Sequence, residues 1–199
     1  MVNDPTDISC DLIVRELKKL IGDSDYKISR EEILTSFWKK EYRKGDFFIR
    51  EGEVAGYLGF IIKGLMKFYY IDSRGNEWIK HFAVENSFMT AFTSFQNQTP
   101  SLYNIEAVED TMVMMVDYNR YHDGISTVMV WNTVARKFVE RLYQIKEKRE
   151  ADFLKHDARE RYQIFLEEYP HLIYRVSMKD IASYLGITSV TLSRIRNHK

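Results

Sequence analysis

The chain has 199 residues, of which 45% are hydrophobic and 14% are aromatic. This composition suffices for a substantial core and excludes an intrinsically disordered chain. The 29 basic and 29 acidic residues balance, so attraction to a polyanion would have to come from a locally charged region. No apolar run reaches the roughly 18 residues of a membrane span, and the first residues lack a basic targeting segment. We therefore expect a cytoplasmic protein without a membrane partner.

Patterns that bind metals are scarce in this sequence. Cys10 is the only cysteine, which excludes an intrachain disulfide, an iron–sulfur cluster and a cysteine-based zinc site. The histidines, at positions 81, 122, 156, 171 and 198, show neither His-x-His nor His-Glu-x-x-His spacing. We expect no metal and no cofactor; if the protein bound haem, His81 or His122 would be the candidate ligand.

The first predicted elements are helices. An apolar stripe that includes Leu12 and Leu17 has the helical period, and the Ser29–Glu32 pattern opens a second short helix that leads to Phe37 and Trp38. These helices precede a change of period.

Short strands follow the helices. From about residue 41 to 117, apolar and aromatic runs alternate with glycine-containing turns. The runs are 46–49, 57–62, 65–71, 78–82, 102–107 and 112–116. Evenly spaced short strands predict an antiparallel, jelly-roll-like β-roll, and we assign residues 1–124 to it and its flanking helices.

A long helix is predicted next, over residues 125–154. Its apolar residues step alternately by four and three, which is the rhythm of a coiled-coil seam. They are Trp131, Ala135, Phe138, Leu142 and Ile145. One interpretation is a dimerisation helix; the other is a helix that packs only on its own roll. We favour the homodimer, because the part of the chain that follows has the pattern of a DNA-binding hairpin, described next, and paired half-sites on DNA require a two-fold axis.

The last part of the chain, residues 155–199, has the pattern of a helix-turn-helix. Ser177 and Thr188 stand where N-caps are expected, with Asp180 completing a capping-box pattern, and Gly186 falls at the turn. The apolar residues of both helices lie on one shared face: Ile181, Leu185, Leu192 and Ile195. We therefore predict an all-helical DNA-binding domain in an α+β protein.

The outward residues of this hairpin are of the types that bind phosphates and base edges. The predicted DNA contacts are Ser177, Lys179, Thr188, Ser189, Thr191, Ser193, Arg194, Arg196 and Lys199. Residues 175–199 contain five basic residues against one acidic residue, so this end of a neutral chain is positive. The alternative interpretation is an ordinary helical hairpin with a solvated cationic end.

The order of these parts resembles the Crp/Fnr family of bacterial transcription regulators. The resemblance rests on the stretches 44–52 (KGDFFIREG), 57–64 (YLGFIIKG) and 181–188 (IASYLGIT), the last together with 192–195 (LSRI). It implies that the roll holds a small effector, that the long helix dimerises two chains, and that the helix-turn-helix enters the major groove of a palindromic operator. RNA polymerase would be a further partner.

The effector segment departs from members of that family that bind cyclic nucleotides. Those members have a Gly-Glu pair and a later Arg-Ser pair, where this chain has Met89-Thr90 and Pro100-Ser101. No arginine lies between Arg74 and Arg120, so a buried cyclic phosphate would lack its guanidinium, and we do not expect cyclic AMP to bind. The segment suits a neutral, partly apolar ligand, unless its side chains only fill the roll. The candidate pocket residues are Phe88, Met89, Thr90, Phe92, Thr93, Thr99, Ser101 and Tyr103.

The DNA-reading end also departs from the family pattern. Val190 stands where better-known members have an acid that accepts a hydrogen bond from cytosine, and a valine can only touch a thymine methyl group or pack. Arg194 matches the family's base-contacting arginine. The chain ends at Lys199, where members usually continue into a β-hairpin wing, so we expect a short form that lacks most of the wing, by nature or by truncation.

Two other functions compete with that of a DNA-binding regulator. A cupin enzyme needs a His-x-His motif with further ligands inside the barrel, and the predicted strands supply only His81, so we do not expect an enzyme. A dimeric small-ligand-binding protein on a cupin-like roll, without functional DNA binding, is the alternative that the sequence leaves standing.

Overall fold

The computed structural model describes residues 5–22, 30–124 and 129–197. The helices in these ranges are α1 (Pro5–Ile21), α2 (Arg30–Ser36), α3 (Phe92–Asn97), α4 (Met129–Lys155), α5 (Ala158–Glu168), α6 (Met178–Leu185) and α7 (Ser189–Asn197). The strands are β1 (Trp38–Tyr42), β2 (Phe47–Ile49), β3 (Tyr57–Lys63), β4 (Met66–Ile71), β5 (Glu77–Ala83), β6 (Phe88–Met89), β7 (Asn104–Ala107) and β8 (Thr111–Asp117). The α+β architecture confirms the prediction: a roll, a long helix and a C-terminal helical hairpin.

The roll consists of two antiparallel four-stranded sheets. Their strand orders are β1-β8-β3-β6 and β2-β7-β4-β5. Apolar side chains from both sheets, including Ile61, Phe68, Met89 and Ile105, fill the space between them. Alternate side chains of a strand point to opposite faces, so each sheet also has an outer face that needs cover.

The turn between β3 and β4 depends on Gly64. Its φ of +106° lies in a region that L side chains rarely adopt, and an added Cβ would lie 2.6 Å from the Thr111 Cα. Glycine therefore satisfies both the backbone conformation and the close approach of β8.

Helices cover the outer face of the first sheet. Ile13 and Leu17 of α1 and Trp131 of α4 are buried against Phe60 and Val116 of that sheet. The N-terminal half of the long helix is thus part of the core of the roll domain.

The C-terminal helices cover the outer face of the second sheet. Ile79 and Phe82 of β5 share one buried cluster with Phe165, Ile181 and Leu192 of the helical domain. The predicted hairpin is therefore packed directly on its own roll and does not extend away from it.

Local signals predicted the hairpin well. The Ser177 Oγ accepts a hydrogen bond from the Asp180 N–H, Thr188 caps α7 through the Thr191 N–H, and Gly186 ends α6 at φ +68°. One detail was wrong: the Asp180 carboxylate accepts from the Ser177 hydroxyl and does not reach back to the N-cap backbone, as a reciprocal capping box would require.

Three further elements differ from the sequence prediction. Helix α1 begins at Pro5, before the predicted stripe, and Trp38 lies in strand β1 rather than at a helix end. Trp38 pairs with Met115 of β8, so a partner far along the chain decides its conformation. Helix α3 lies within the region, from about residue 41 to 117, for which the sequence predicts only strands and turns.

Candidate nucleic-acid interface

The predicted DNA-contacting side chains belong to α6, α7 and their caps, and most of them are exposed. Seven of them are exposed: Ser177, Lys179, Thr188, Ser189, Ser193, Arg194 and Arg196. Thr191 is half-buried, and its hydroxyl lies 2.9 Å from that of Thr188, so it supports the cap. Lys199 lies outside the described residues. We call the seven exposed residues the hairpin face.

Positive charge dominates this hairpin face. Within the part of the chain that the structure describes, no carboxylate lies within ion-pair distance of Arg194, and Arg196 contacts the Met178 sulfur at 2.8 Å. The one acid of the two helices, Asp180, is turned inward, with its side chain only 14% exposed and an oxygen 3.9 Å from the Lys67 Nζ. The face therefore presents cations whose charge is not neutralised locally.

An ionic clamp joins the hairpin to the roll. The Arg175 guanidinium donates to both Glu85 oxygens, at 2.7 and 3.0 Å, and to both Glu109 oxygens, at 2.6 and 3.3 Å. Burial opposes ionisation of Glu85, but the hydrogen bonds from Arg175 and from backbone amides outweigh it and lower its pKa. The hydrogen bonds to the two carboxylates raise the pKa of Arg175. Because Arg175 lies between α5 and α6, this clamp holds the start of the hairpin.

A second contact fixes α6 on the free edge of the second sheet. The Ser183 Oγ accepts from the Ile79 N–H at 2.8 Å and donates to the Glu77 carbonyl at 2.6 Å. These are backbone groups that an edge strand leaves without a partner strand. One hydroxyl of α6 thus replaces part of a missing strand.

Arg149 of the long helix completes this joint. Its Nη2 donates to the Ile79 carbonyl at 3.0 Å and to the Tyr184 carbonyl at 2.8 Å, and its guanidinium lies 4.0 Å above the Tyr184 ring. One side chain therefore ties together α4, β5 and α6. The sequence did not predict this role of Arg149. The one indication was that Arg149 lies four residues after Ile145 and so continues the alternating spacing of the apolar residues of α4.

The predicted seam divides into two halves. Trp131 is 4% exposed and packs within its own subunit, as the alternative interpretation of this helix required. Of the later seam residues, Phe138 and Leu142 are half-buried and Ile145 is 38% exposed; beside the seam, Val139 and Tyr143 are 41% and 64% exposed. Ala135, Val139 and Tyr143 line an open groove of about 520 Å³. The second half of α4 therefore leaves an apolar surface uncovered.

The predicted effector residues do not converge on one pocket. Phe88, Thr90 and Phe92 line a small apolar cavity of about 40 Å³ between the roll, α1 and α4. Met89 and Tyr103 are buried in the core of the roll, and Ser101 is buried and donates to the Tyr103 carbonyl. Thr93 and Thr99 are exposed. Met89 and Tyr103 thus fill the core of the roll, as the alternative interpretation of the effector segment predicts.

Two neighbouring titratable residues of β5, Lys80 and His81, are partly buried. Burial, followed by the charges of Lys80 and Arg149, lowers the pKa of His81 to about 4, so its imidazole is neutral at neutral pH. Burial beside Lys146 lowers the pKa of Lys80 to about 8. In the described ranges, no group of three or more His, Cys, Asp or Glu residues could hold a metal ion. No described helix is both long and apolar enough to cross a membrane.

Comparisons with known proteins find a similar domain and similar folds. Residues 39–127 match the family model of the cyclic nucleotide-binding domain. No curated protein matches the chain significantly in sequence.

Similar solved structures include FixK2 from Bradyrhizobium japonicum, at 24% identity and a TM-score of 0.68, with 81% of this chain and 83% of that chain covered. The c-di-GMP-responsive global regulator CLP of Xanthomonas campestris is 14% identical, with a TM-score of 0.68 and coverages of 84% and 88%. A CooA mutant from Carboxydothermus hydrogenoformans is 17% identical, with a TM-score of 0.67 and coverages of 91% and 82%. These similarities show the fold of the chain: a roll over residues 39–127 that is similar to cyclic nucleotide-binding domains, followed by a long helix and a helical hairpin.

Proposed function

We propose that this chain is a homodimeric, sequence-specific DNA-binding transcription regulator. The observation that carries the proposal is the hairpin face, where Arg194 and Arg196 stand exposed among short hydroxyl side chains. Guanidinium groups bind phosphates and the guanine edge, and hydroxyls bind phosphate oxygens. A regulator of this kind works beside the chromosome, which is why we expect it in the cytoplasm.

Rigidity of the hairpin supports specific rather than merely electrostatic binding. Leu192 of α7 is fully buried, and Arg149, Arg175 and Ser183 hold α6 against the roll. Base-edge recognition requires side chains that are positioned within fractions of an ångström. A hairpin fixed by packing and by hydrogen bonds meets that requirement.

The uncovered half of α4 supports a dimer. Val139 and Tyr143 would lose exposed apolar surface if a second α4 lay in the groove that they line. Binding to paired half-sites requires a two-fold axis that places the two recognition helices about 34 Å apart, which is one turn of DNA. The expected target is a palindromic operator, and RNA polymerase is an expected further partner.

The roll is proposed to be controlled by a small molecule other than a cyclic nucleotide. The segment that holds the cyclic phosphate in related proteins has no arginine here, and Thr90 faces an apolar cavity instead. Strand β5 contacts both the roll interior, through His81 and Phe68, and the hairpin, through Ile79 and Ser183. A ligand that shifted β5 would change the position of the hairpin.

The test is selection of duplexes from a random palindromic pool, followed by titration with the full chain by fluorescence anisotropy. Arg194→Ala should cost about 1–3 kcal/mol of discrimination at one base pair in each half-site, whereas Lys179→Ala should weaken binding to all sequences alike. The affinity should fall steeply with salt concentration, because phosphate contacts release counterions. No sequence preference together with a shallow salt dependence would overturn the proposal and favour a dimeric ligand-binding protein.

A further inference from the structure

One exposed side chain on α7 is not polar. Val190, in the first turn of the helix, is 62% exposed. The other apolar residues of α7 face inward: Leu192 is fully buried and Ile195 packs against the same cluster. Val190 is not part of that buried cluster, and most of its surface is open to solvent.

Val190 is also a poor choice for this position in the free protein. A β-branched residue loses side-chain freedom in a helix, and polar straight-chain residues are better helix formers on an exposed surface. In the free protein, the exposed part of the Val190 side chain gains no packing that would offset this helix preference. Its location suggests what could offset it, because the first residues of a recognition helix are those that reach base edges.

We propose that Val190 is a specificity-determining residue that recognises the C5-methyl group of a thymine in each half-site. This inference rests on the proposed DNA-binding function. In the major groove, the thymine methyl is the apolar feature that distinguishes its base pair, and an aliphatic side chain is the matching contact. Valine has no hydrogen-bonding group and can make no other base-specific contact.

The helix geometry places this thymine relative to the base read by Arg194. Val190 and Arg194 are four residues apart and lie on one face of α7, with a rise of about 6 Å between them. Successive bases rise about 3.4 Å along one strand. The thymine therefore lies within two base pairs of the guanine that Arg194 contacts.

The experiment removes the methyl group and nothing else. Once the selection has given the preferred palindrome, each thymine of a half-site is replaced in turn by deoxyuridine, in both half-sites at once. Full-length protein is then titrated by anisotropy at fixed salt. At one thymine position we expect about fourfold weaker binding per methyl group lost, or about 15-fold for the palindrome.

Variants assign that methyl contact to its side chain. Val190→Ala should abolish the difference between thymine and deoxyuridine at that position, and Val190→Ile should retain it. Arg194→Ala should lose guanine discrimination but keep the methyl dependence. Because Val190 is exposed, Val190→Ala should keep the wild-type melting temperature, which serves as the folding control.

Different outcomes separate this inference from the function on which it rests. If the chain selects a palindrome but no thymine shows a methyl dependence, or if Val190→Ala keeps that dependence unchanged, the role of Val190 is overturned and the DNA-binding function stands. If the selection gives no sequence preference, both fail together.

Discussion

Replacing Arg175 with methionine should loosen the hairpin from the roll without unfolding either part. Methionine keeps much of the side-chain volume but removes the guanidinium that donates to Glu85 and Glu109. The two carboxylates then face each other without the cation between them. The apolar contacts between β5 and α6 are unchanged, so the hairpin should still dock, but less firmly.

The size of the effect follows from the exposure of the partners. Hydrogen bonds to charged groups contribute about 1.5–3 kcal/mol when buried, whereas exposed ion pairs contribute up to about 1 kcal/mol. Glu85 and Glu109 are 33% and 35% exposed, so solvent screens both pairs. We expect a loss of about 2 kcal/mol for the whole clamp, which corresponds to roughly 30-fold in the opening equilibrium.

Hydrogen exchange of backbone amides measures this opening directly. Amides of α6 should exchange roughly 30-fold faster in Arg175→Met, whereas those of β3 and β8 inside the roll should exchange at wild-type rates. The matched control is Glu53→Gln, since Glu53 is an exposed acid on the roll outside the clamp. Wild-type exchange in α6 of Arg175→Met would refute the clamp as a determinant of docking.

The same clamp predicts a dependence on pH. The pKa of Glu85 is lower in the folded protein than its ordinary value of 4.5, so its contribution is fully present above that value and is lost as the pH falls through the folded pKa. Protection of α6 should therefore fall below about pH 4.5 in the wild type. Arg175→Met should show a smaller change over this range, because the main cause of the lowered pKa is gone. An equal change in both proteins would contradict this assignment.

Three further variants test other parts of the structure. Leu192→Ala removes a fully buried side chain from the core shared by hairpin and roll and should cost about 2–5 kcal/mol of unfolding free energy, measured by urea denaturation; a loss below 1 kcal/mol would mean that the core tolerates the cavity. Gly64→Ala should destabilise the roll by more than Gly75→Ala, because both have positive φ but only Gly64 has atoms where the Cβ would lie; equal melting temperatures would contradict the close approach of β8. Tyr143→Glu should shift the proposed dimer toward monomer in analytical ultracentrifugation, with the neighbouring exposed Gln144→Glu as control. An unchanged dimer fraction would exclude Tyr143 from the interface.

Short-range patterns in the sequence determined the elements of the hairpin. Each of these patterns involves residues that are close in the sequence: the caps at Ser177 and Thr188, the turn at Gly186 and the spacing of the apolar residues. They can therefore be predicted without knowledge of the tertiary structure. The strands of the roll could be predicted for a similar reason, because turn residues and the alternation of apolar and polar residues are local patterns. The exposed hairpin face followed directly, since a helix with one buried stripe leaves the opposite side outward.

Only the tertiary structure decided how these elements are joined. Arg175 meets Glu85 and Glu109 across separations of 90 and 66 residues, and Arg149 meets the Ile79 carbonyl across 70. No local pattern encodes such pairs, because their cause is the packing of α6 on the edge of a sheet formed far earlier in the chain. The same holds for Trp38 in β1 and for the dispersal of the candidate effector residues between core, cavity and surface. The composition of the hairpin was enough to predict a surface suited to DNA, but its attachment to the roll depends on which distant backbone groups lacked partners.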